Sequence, residues 1–141
     1  MNPLIVKQSK QVIIPYIGNP LSAGFPSPAL DYIQEPVDLN KWLIEHPDAT
    51  YFVKVQGNSM KDAFIPDKAA LLVDRSIEAK HNDIVVASVN GEFTVKRLLL
   101  IDGKMILEPA NKKYKTLEIS EEMDCRIFGV VCKIIIDPKD V

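Results

Sequence analysis

A chain of 141 residues, 47% of them apolar, has the length and composition of one globular domain with a core of ordinary size. Its formal net charge of −2, with no long basic block, gives little support for direct binding to a phosphate backbone. No apolar run approaches the roughly 20 residues of a membrane helix and the first ten positions lack a secretory pattern, so neither nucleic acid nor membrane is expected as a direct partner and the cytosol is the expected compartment.

The chain opens with Pro3, Pro15, Pro20, Pro26 and Pro28 beside Gly18 and Gly24, a density that forbids a helix of any length and predicts an extended arm over 1–28. Lys7 and Lys10 are the only charged side chains before Gly24, and Val12, Ile13, Ile14, Tyr16 and Ile17 make this arm apolar. A short helix is predicted over 39–45, capped by Asp38, with Leu39, Trp42 and Leu43 on one face and Pro47 ending it. From Thr50 the period becomes two, as Tyr51, Val53 and Val55 alternate with Phe52, Lys54 and Gln56. Strands are predicted at 50–56, 70–74, 83–89, 92–100, 104–108 and 126–136. Asn90-Gly91 and Asp102-Gly103 tolerate positive φ and suit tight hairpins, so a β-meander is expected. The segment 29–141 reads as a mostly β domain without internal repeats. Cys125 and Cys132 fall on one predicted strand, too far apart at about 3.3 Å per residue to bridge, and read as reduced thiols.

Ser59 lies in Gly57-Asn58-Ser59-Met60, after a strand and before Lys61-Asp62, so its hydroxyl is presented at a strand end. A serine there reads first as a turn residue or helix cap; it becomes a nucleophile only beside a base. His46, preceding Pro47, and His81, preceding Asn82-Asp83, read as solvated surface residues. Two histidines and two cysteines without tight ligand spacing give no zinc pattern, and no metal is expected. Lys96 stands mid-strand on the face of Thr94, Leu98 and Leu100. It reads as an ordinary basic residue on a half-exposed strand, or, if desolvated enough to become neutral near pH 7, as a general base for Ser59. Pattern alone does not place the two side by side.

Gly57-Asn58-Ser59-Met60 followed by Thr94-Val95-Lys96-Arg97-Leu98 resembles the LexA/UmuD family of self-cleaving serine-lysine peptidases. The likeness extends through Gly24-Phe25-Pro26-Ser27-Pro28-Ala29, Asp31-Tyr32, Asp38-Leu39-Asn40, Ala49-Thr50-Tyr51-Phe52-Val53-Lys54 and Gly91-Glu92-Phe93, from about residue 23 to near 135. The resemblance implies a LexA/signal-peptidase-like, β-clip-containing catalytic domain with short helices and an extended N-terminal arm. It makes Ser59 the nucleophile, Lys96 the general base, the backbone amides of Asn58 and Ser59 the oxyanion donors, and Ala23-Gly24 the bond cut, with no cofactor. Small residues suit a scissile bond that must enter a narrow cleft.

Two positions depart from the family pattern. Asp67-Lys68-Ala69 stands where a Gly-Asp turn is usual, which predicts a rebuilt turn before the 70–74 strand, and Asn82 replaces a glycine but still tolerates a left-handed backbone. The family's repressors carry a DNA-binding domain before the cleavage site, whereas the arm preceding Gly24 is too short and proline-broken for one. The resemblance then implies a homodimer that responds to the RecA nucleoprotein filament, and whose cut form is an accessory subunit of a UmuC-type Y-family translesion DNA polymerase. Two other classes compete: a binding module that regulates a polymerase without cutting, and a leader-peptidase-like enzyme, which would be expected to carry a membrane anchor.

Overall fold

The computed structural model of the chain describes residues 13–17, 23–24 and 33–141. The runs 1–12, 18–22 and 25–32, which hold most of the expected arm and the segment after Gly24, lie outside the described residues. The chain forms two compact units, Met1–Glu45 and His46–Val141.

In the first unit β1 (Ile13–Ile17) pairs antiparallel with β2 (Ile33–Asp38), with a shift of register between Ile14 and Tyr16. Pro15 and Pro36 interrupt both runs, so neither carries an uninterrupted strand signal, and a bulged two-stranded ladder is the form of pairing that proline permits. The helix α1 (Leu39–Leu43) follows directly, and the Asp38 carboxylate accepts from Asn40 N at 3.0 Å as expected of an N-cap. It is shorter than the predicted 39–45 because Ile44 is already extended, with φ −126° and ψ 109°. Pro47 does not stop it but opens a separate 3-10 turn, Pro47–Ala49.

The second unit is one seven-stranded sheet of β3 (Thr50–Lys54), β4 (Ala70–Asp74), β5 (Ile84–Val89), β6 (Glu92–Ile101), β7 (Lys104–Glu108), β8 (Leu117–Glu118) and β9 (Cys125–Ile135), in the order β3-β4-β9-β5-β6-β7-β8. The predicted strands all form, with small differences at their ends, and the mostly β fold class stands. Both hairpin dipeptides take positive φ at both positions: 49° and 85° at Asn90 and Gly91, 50° and 73° at Asp102 and Gly103. The meander holds from β5 to β8. The last strand departs from it, inserting between β4 and β5 and pairing antiparallel with each. Apolar residues crowd its length, with Val130 buried and Ile127, Phe128, Val131 and Ile134 packed on core clusters, and such a strand belongs at a sheet's centre. A Cβ at Gly129 would meet Val73 Cγ1 at 2.8 Å and Asp74 O at 2.9 Å, so glycine is what lets β9 approach β4 there.

Three strands separate β3 from β6 in the sheet order, which in a flat sheet would place them about 19 Å apart at about 4.8 Å per strand. Yet Val53 and Val55, in and just after β3, and Val95 of β6 all pack on the cluster of Met60, Ile65, Leu71, Val73 and Val86. The sheet therefore curls until its first strand meets its fifth. A second cluster of Val85, Ala87, Leu98, Leu107 and Val130 fills the other side. Among the described residues no helix is long and apolar enough to cross a membrane.

Two turns carry non-glycine residues in left-handed conformations that bear on the sequence reading. Asn82 has φ 75°, as expected for that residue type. Lys68 itself takes φ 71°, and its turn is held by Lys68 N donating to Val55 O at 2.9 Å, Val55 N donating to Ala69 O at 2.8 Å, and Lys54 Nζ donating to Lys68 O at 2.7 Å. These bonds hold a conformation that Lys68 alone would disfavour.

Candidate active site

Ser59 is positioned by the loop that leaves β3. Gly57 turns the chain with φ 94°, its N–H donating to Asp67 Oδ1 at 2.6 Å. Asp67 N donates back to Asn58 Oδ1 at 3.3 Å. Met60 then plugs the core at 1% exposure and bridges to Ile65, which fixes the loop one residue beyond Ser59. From the other side Ala110 N donates to Ser59 O at 2.8 Å, and the Asn111 side chain donates to Asn58 O at 2.8 Å. Ser59 thus sits in an irregular segment held at five points.

Lys96 comes from the middle of β6, reaching inward across the curl of the sheet. Its Nζ lies 3.1 Å from Ser59 Oγ, although the two residues are 37 positions apart. The same nitrogen donates to Thr94 Oγ1 at 2.7 Å and to Val95 O at 3.0 Å. Among the described residues no carboxylate forms an ion pair with it. Burial therefore acts unopposed and pushes the Lys96 amine below the ordinary lysine range. A neutral amine has two N–H donors and one lone pair: the donors match Thr94 Oγ1 and Val95 O, and the lone pair is left for the Ser59 hydroxyl, which donates to it. In this arrangement a nitrogen can take the hydroxyl proton as the oxygen attacks.

Ser59 opens on a groove of about 290 Å³ whose walls are residues 53–56 and 93–95 with Met60 and Val86. Phe93 and Thr94 also border a neighbouring cavity of about 640 Å³ that contains Lys96, Leu107, Lys115 and Leu117. One wall of the groove runs along β3, an edge strand of the sheet, a form suited to an extended peptide. Neither the Asn58 nor the Ser59 amide has an acceptor among the described residues. Ala23 and Gly24 belong to the other unit, where both are exposed and a Cβ at Gly24 would meet nothing within 4 Å. Among the described residues no group of three His, Cys, Asp or Glu side chains is placed to hold a metal.

The histidines need correction. His46 is not simply solvated: its Nδ1 is hydrogen-bonded to the buried Asp74 carboxylate, with the ring 45% exposed. His81 is exposed but its Nδ1 accepts from Leu100 N at 2.9 Å. Asp74, 2% exposed, also accepts from Ser76 Oγ at 2.6 Å and Ser76 N at 2.8 Å. The Ser76 hydroxyl above all, with His46 and the Ser76 amide, outweighs burial and holds this carboxyl below its ordinary range. The Cys132 thiol lies 3.6 Å from Val130 O, and burial with nearby Asp124 raises the Cys125 thiol above its ordinary range. Sequence reasoning missed what Asp67 and Asn111 do for the loop. Asp67 read only as part of a turn and Asn111 carried no signal; its 8% exposure distinguishes it from its neighbours in the structure.

Residues 15–132 match a family described as Peptidase S24-like. Protein MucA of Salmonella typhimurium is 44% identical over 125 residues, which cover 88% of this chain and 85% of MucA. Protein SamA of Salmonella typhimurium is 46% identical over 113 residues, 80% of this chain and 78% of SamA. The LexA repressor of Bordetella parapertussis is 33% identical over 126 residues, 89% of this chain but 57% of the repressor.

Proposed function

This chain belongs to the S24-like peptidase family and is of the UmuD type, and from that membership we propose that it is a serine endopeptidase that cuts its own Ala23-Gly24 bond, within one chain or within a dimer. The observation that supports this most directly is the 3.1 Å approach of Lys96 Nζ to Ser59 Oγ in a site that depresses the lysine. Lys96 takes the proton of Ser59 as its oxygen attacks the Ala23 carbonyl carbon. The amides of Asn58 and Ser59 donate to the resulting oxyanion, an interaction commonly worth about 3–4 kcal/mol per donor. The tetrahedral adduct collapses, the Gly24 nitrogen leaves with the proton held by Lys96, and water hydrolyses the ester left on Ser59 by the reverse proton path.

On this reading residues 1–28 are an arm that carries the junction and 29–141 are the peptidase domain. The cut form acts in the SOS response as an accessory subunit of an error-prone, UmuC-type Y-family polymerase, as a homodimer in the cytosol, with the RecA filament stimulating the cut. The likeness to MucA and SamA over most of both chains is what favours this over a repressor.

The test is to hold purified protein at mildly alkaline pH and follow it by mass spectrometry. The expected result is two fragments divided at Ala23-Gly24, and none from Ser59→Ala or Lys96→Ala, with circular dichroism showing both variants folded. Wild type that stays intact with and without RecA filament would favour a non-cleaving binding module instead. Gly24→Val should slow the cut about 100-fold, because a β-branched residue restricts the backbone and a misplacement near 1 Å has that cost; wild-type rate at this bond in the variant would refute the junction.

A further inference from the structure

Resting on the assignment of Ser59 as nucleophile, we propose that Asn111 is a positioning residue for the oxyanion site: its side-chain amide holds the Asn58–Ser59 peptide in the orientation that turns the Ser59 N–H toward the developing negative charge.

Asp74 and Asn111 are the buried polar or charged residues among those described, and a buried amide is costly unless both its ends are bonded. Asn111 satisfies both ends. Its Oδ1 accepts from Lys113 N at 3.0 Å and its Nδ2 donates to Asn58 O at 2.8 Å. Chemistry fixes which atom faces which, since Lys113 N–H only donates and the Asn58 carbonyl only accepts. The same carbonyl also receives Lys61 N at 3.2 Å.

In a trans peptide the carbonyl and the following N–H point in opposite directions. Holding Asn58 O therefore aims Ser59 N–H the other way, and that amide has no acceptor among the described residues. The grip is two-sided: Ala110 N donates to Ser59 O at 2.8 Å, and Ala110 O accepts from Asp62 N at 2.8 Å, so residues 110 and 111 hold the carbonyls of Asn58 and Ser59 together. No helix or strand includes Asn58 or Ser59, so contacts from outside the segment set the orientation of their peptide. A carbonyl that accepts two donors also polarises its peptide, which strengthens the N–H at the far end. Only an amide of this length supplies a donor toward Asn58 and an acceptor toward Lys113. An aspartate would set oxygen against oxygen, and a leucine would leave the carbonyl and the Lys113 amide short of a partner.

The experiment is the self-cleavage rate of Asn111→Asp, Asn111→Leu and Asn111→Gln beside wild type across alkaline pH. Each rate is expressed per folded molecule from melting curves in the same buffer. Asn111→Asp fills the same volume, so a residue that merely filled space would tolerate it. The expected result is a plateau rate lowered about 10- to 100-fold in the Asp and Leu variants, the scale of a misaimed donor and less than the roughly 100- to 1000-fold of a lost one. The midpoint of the pH profile should stay where Lys96 sets it. A wild-type plateau in folded Asn111→Asp or Asn111→Leu overturns the proposal. So does a shifted midpoint, which would place the effect on Lys96, and so does failure of all three variants to fold, which would assign Asn111 to the fold alone. The reading it rests on is judged separately, by whether wild type cuts and Ser59→Ala does not.

Discussion

Two polar clusters in this molecule pair a serine with a basic side chain and yet have opposite electrostatics. Around Asp74, a buried carboxylate collects donors from Ser76 Oγ, Ser76 N and His46, and its charged form is favoured. Around Lys96, a half-buried amine meets a hydroxyl, a carbonyl and Ser59, without a carboxylate ion pair among the described residues, and its charged form is disfavoured. The first arrangement fastens the end of β4 to the turn after it and to His46, which precedes β3. The second leaves a group whose proton is held less firmly than that of an ordinary lysine. On the proposed reading, the structural site completes its charge, and the site that moves a proton lacks the partner that would trap it.

Replacing the basic group should break this contrast most sharply. Lys96→Met is expected to lower self-cleavage at least about 1000-fold, the scale of a lost general base. It should also leave the melting temperature unchanged or raise it on the order of 2–4 °C at neutral pH, because a disfavoured ammonium is removed. A clear fall in melting temperature would show Lys96 to be a structural group of the Asp74 kind. Asp74→Ala should do the reverse. With the carboxylate and its three hydrogen bonds removed, urea denaturation should report a loss of roughly 2–3 kcal/mol, while cleavage per folded molecule stays within about twofold of wild type.

The pH dependences should run on different groups. A lysine whose folded value lies below its unfolded value holds fewer protons folded than unfolded in the window between them. Stability then rises with pH across that window, and the cost of the half-buried charge is fully present below the lowered value. Cleavage should climb through the same lowered value as the amine becomes neutral. Asp74 contributes stability above its unfolded value and loses it as pH falls through its lowered folded value, so Asp74→Asn should flatten the acid limb of the denaturation curve. The smallest effect concerns Thr94, whose Oγ1 accepts from Lys96 Nζ. Thr94→Val removes an acceptor that favours the ammonium, so the midpoint of the rate profile should move to lower pH, with a plateau reduced about tenfold by looser aim. A midpoint moving upward would contradict the role given to that contact.

What the sequence made legible followed from local chemistry. Alternation from Thr50, the Asp38 cap and the two Asn-Gly and Asp-Gly hairpins each depend on neighbours in the chain, and each formed where expected. The β1–β2 ladder was illegible because Pro15 and Pro36 mask its period, and the central place of β9 because periodicity does not reveal neighbours. At the site, Ser59 and Lys96 could be singled out by residue type, and family resemblance paired them; their 3.1 Å contact depends on a curl that no local pattern encodes. His46 was misjudged for the same reason, since its partner Asp74 lies 28 residues away. Asn111 was hidden by its setting, in a run of lysines that reads as surface.

The curl has a consequence in time. Ser59 follows the first strand of the sheet and Lys96 lies on the fifth, with β9, the last of the described strands in chain order, hydrogen-bonded between β4 and β5 to join the halves. Until β9 is synthesised and inserted, β3 and β4 have no ladder connecting them to β5 and β6, and a hydroxyl and an amine tens of residues apart in a loose chain meet only rarely. On the proposed reading, the capacity to cut is withheld from a copy in which β9 has not yet been inserted. Strand order then acts, on that reading, as a form of quality control, since the cut waits until β9 has joined the two halves of the sheet.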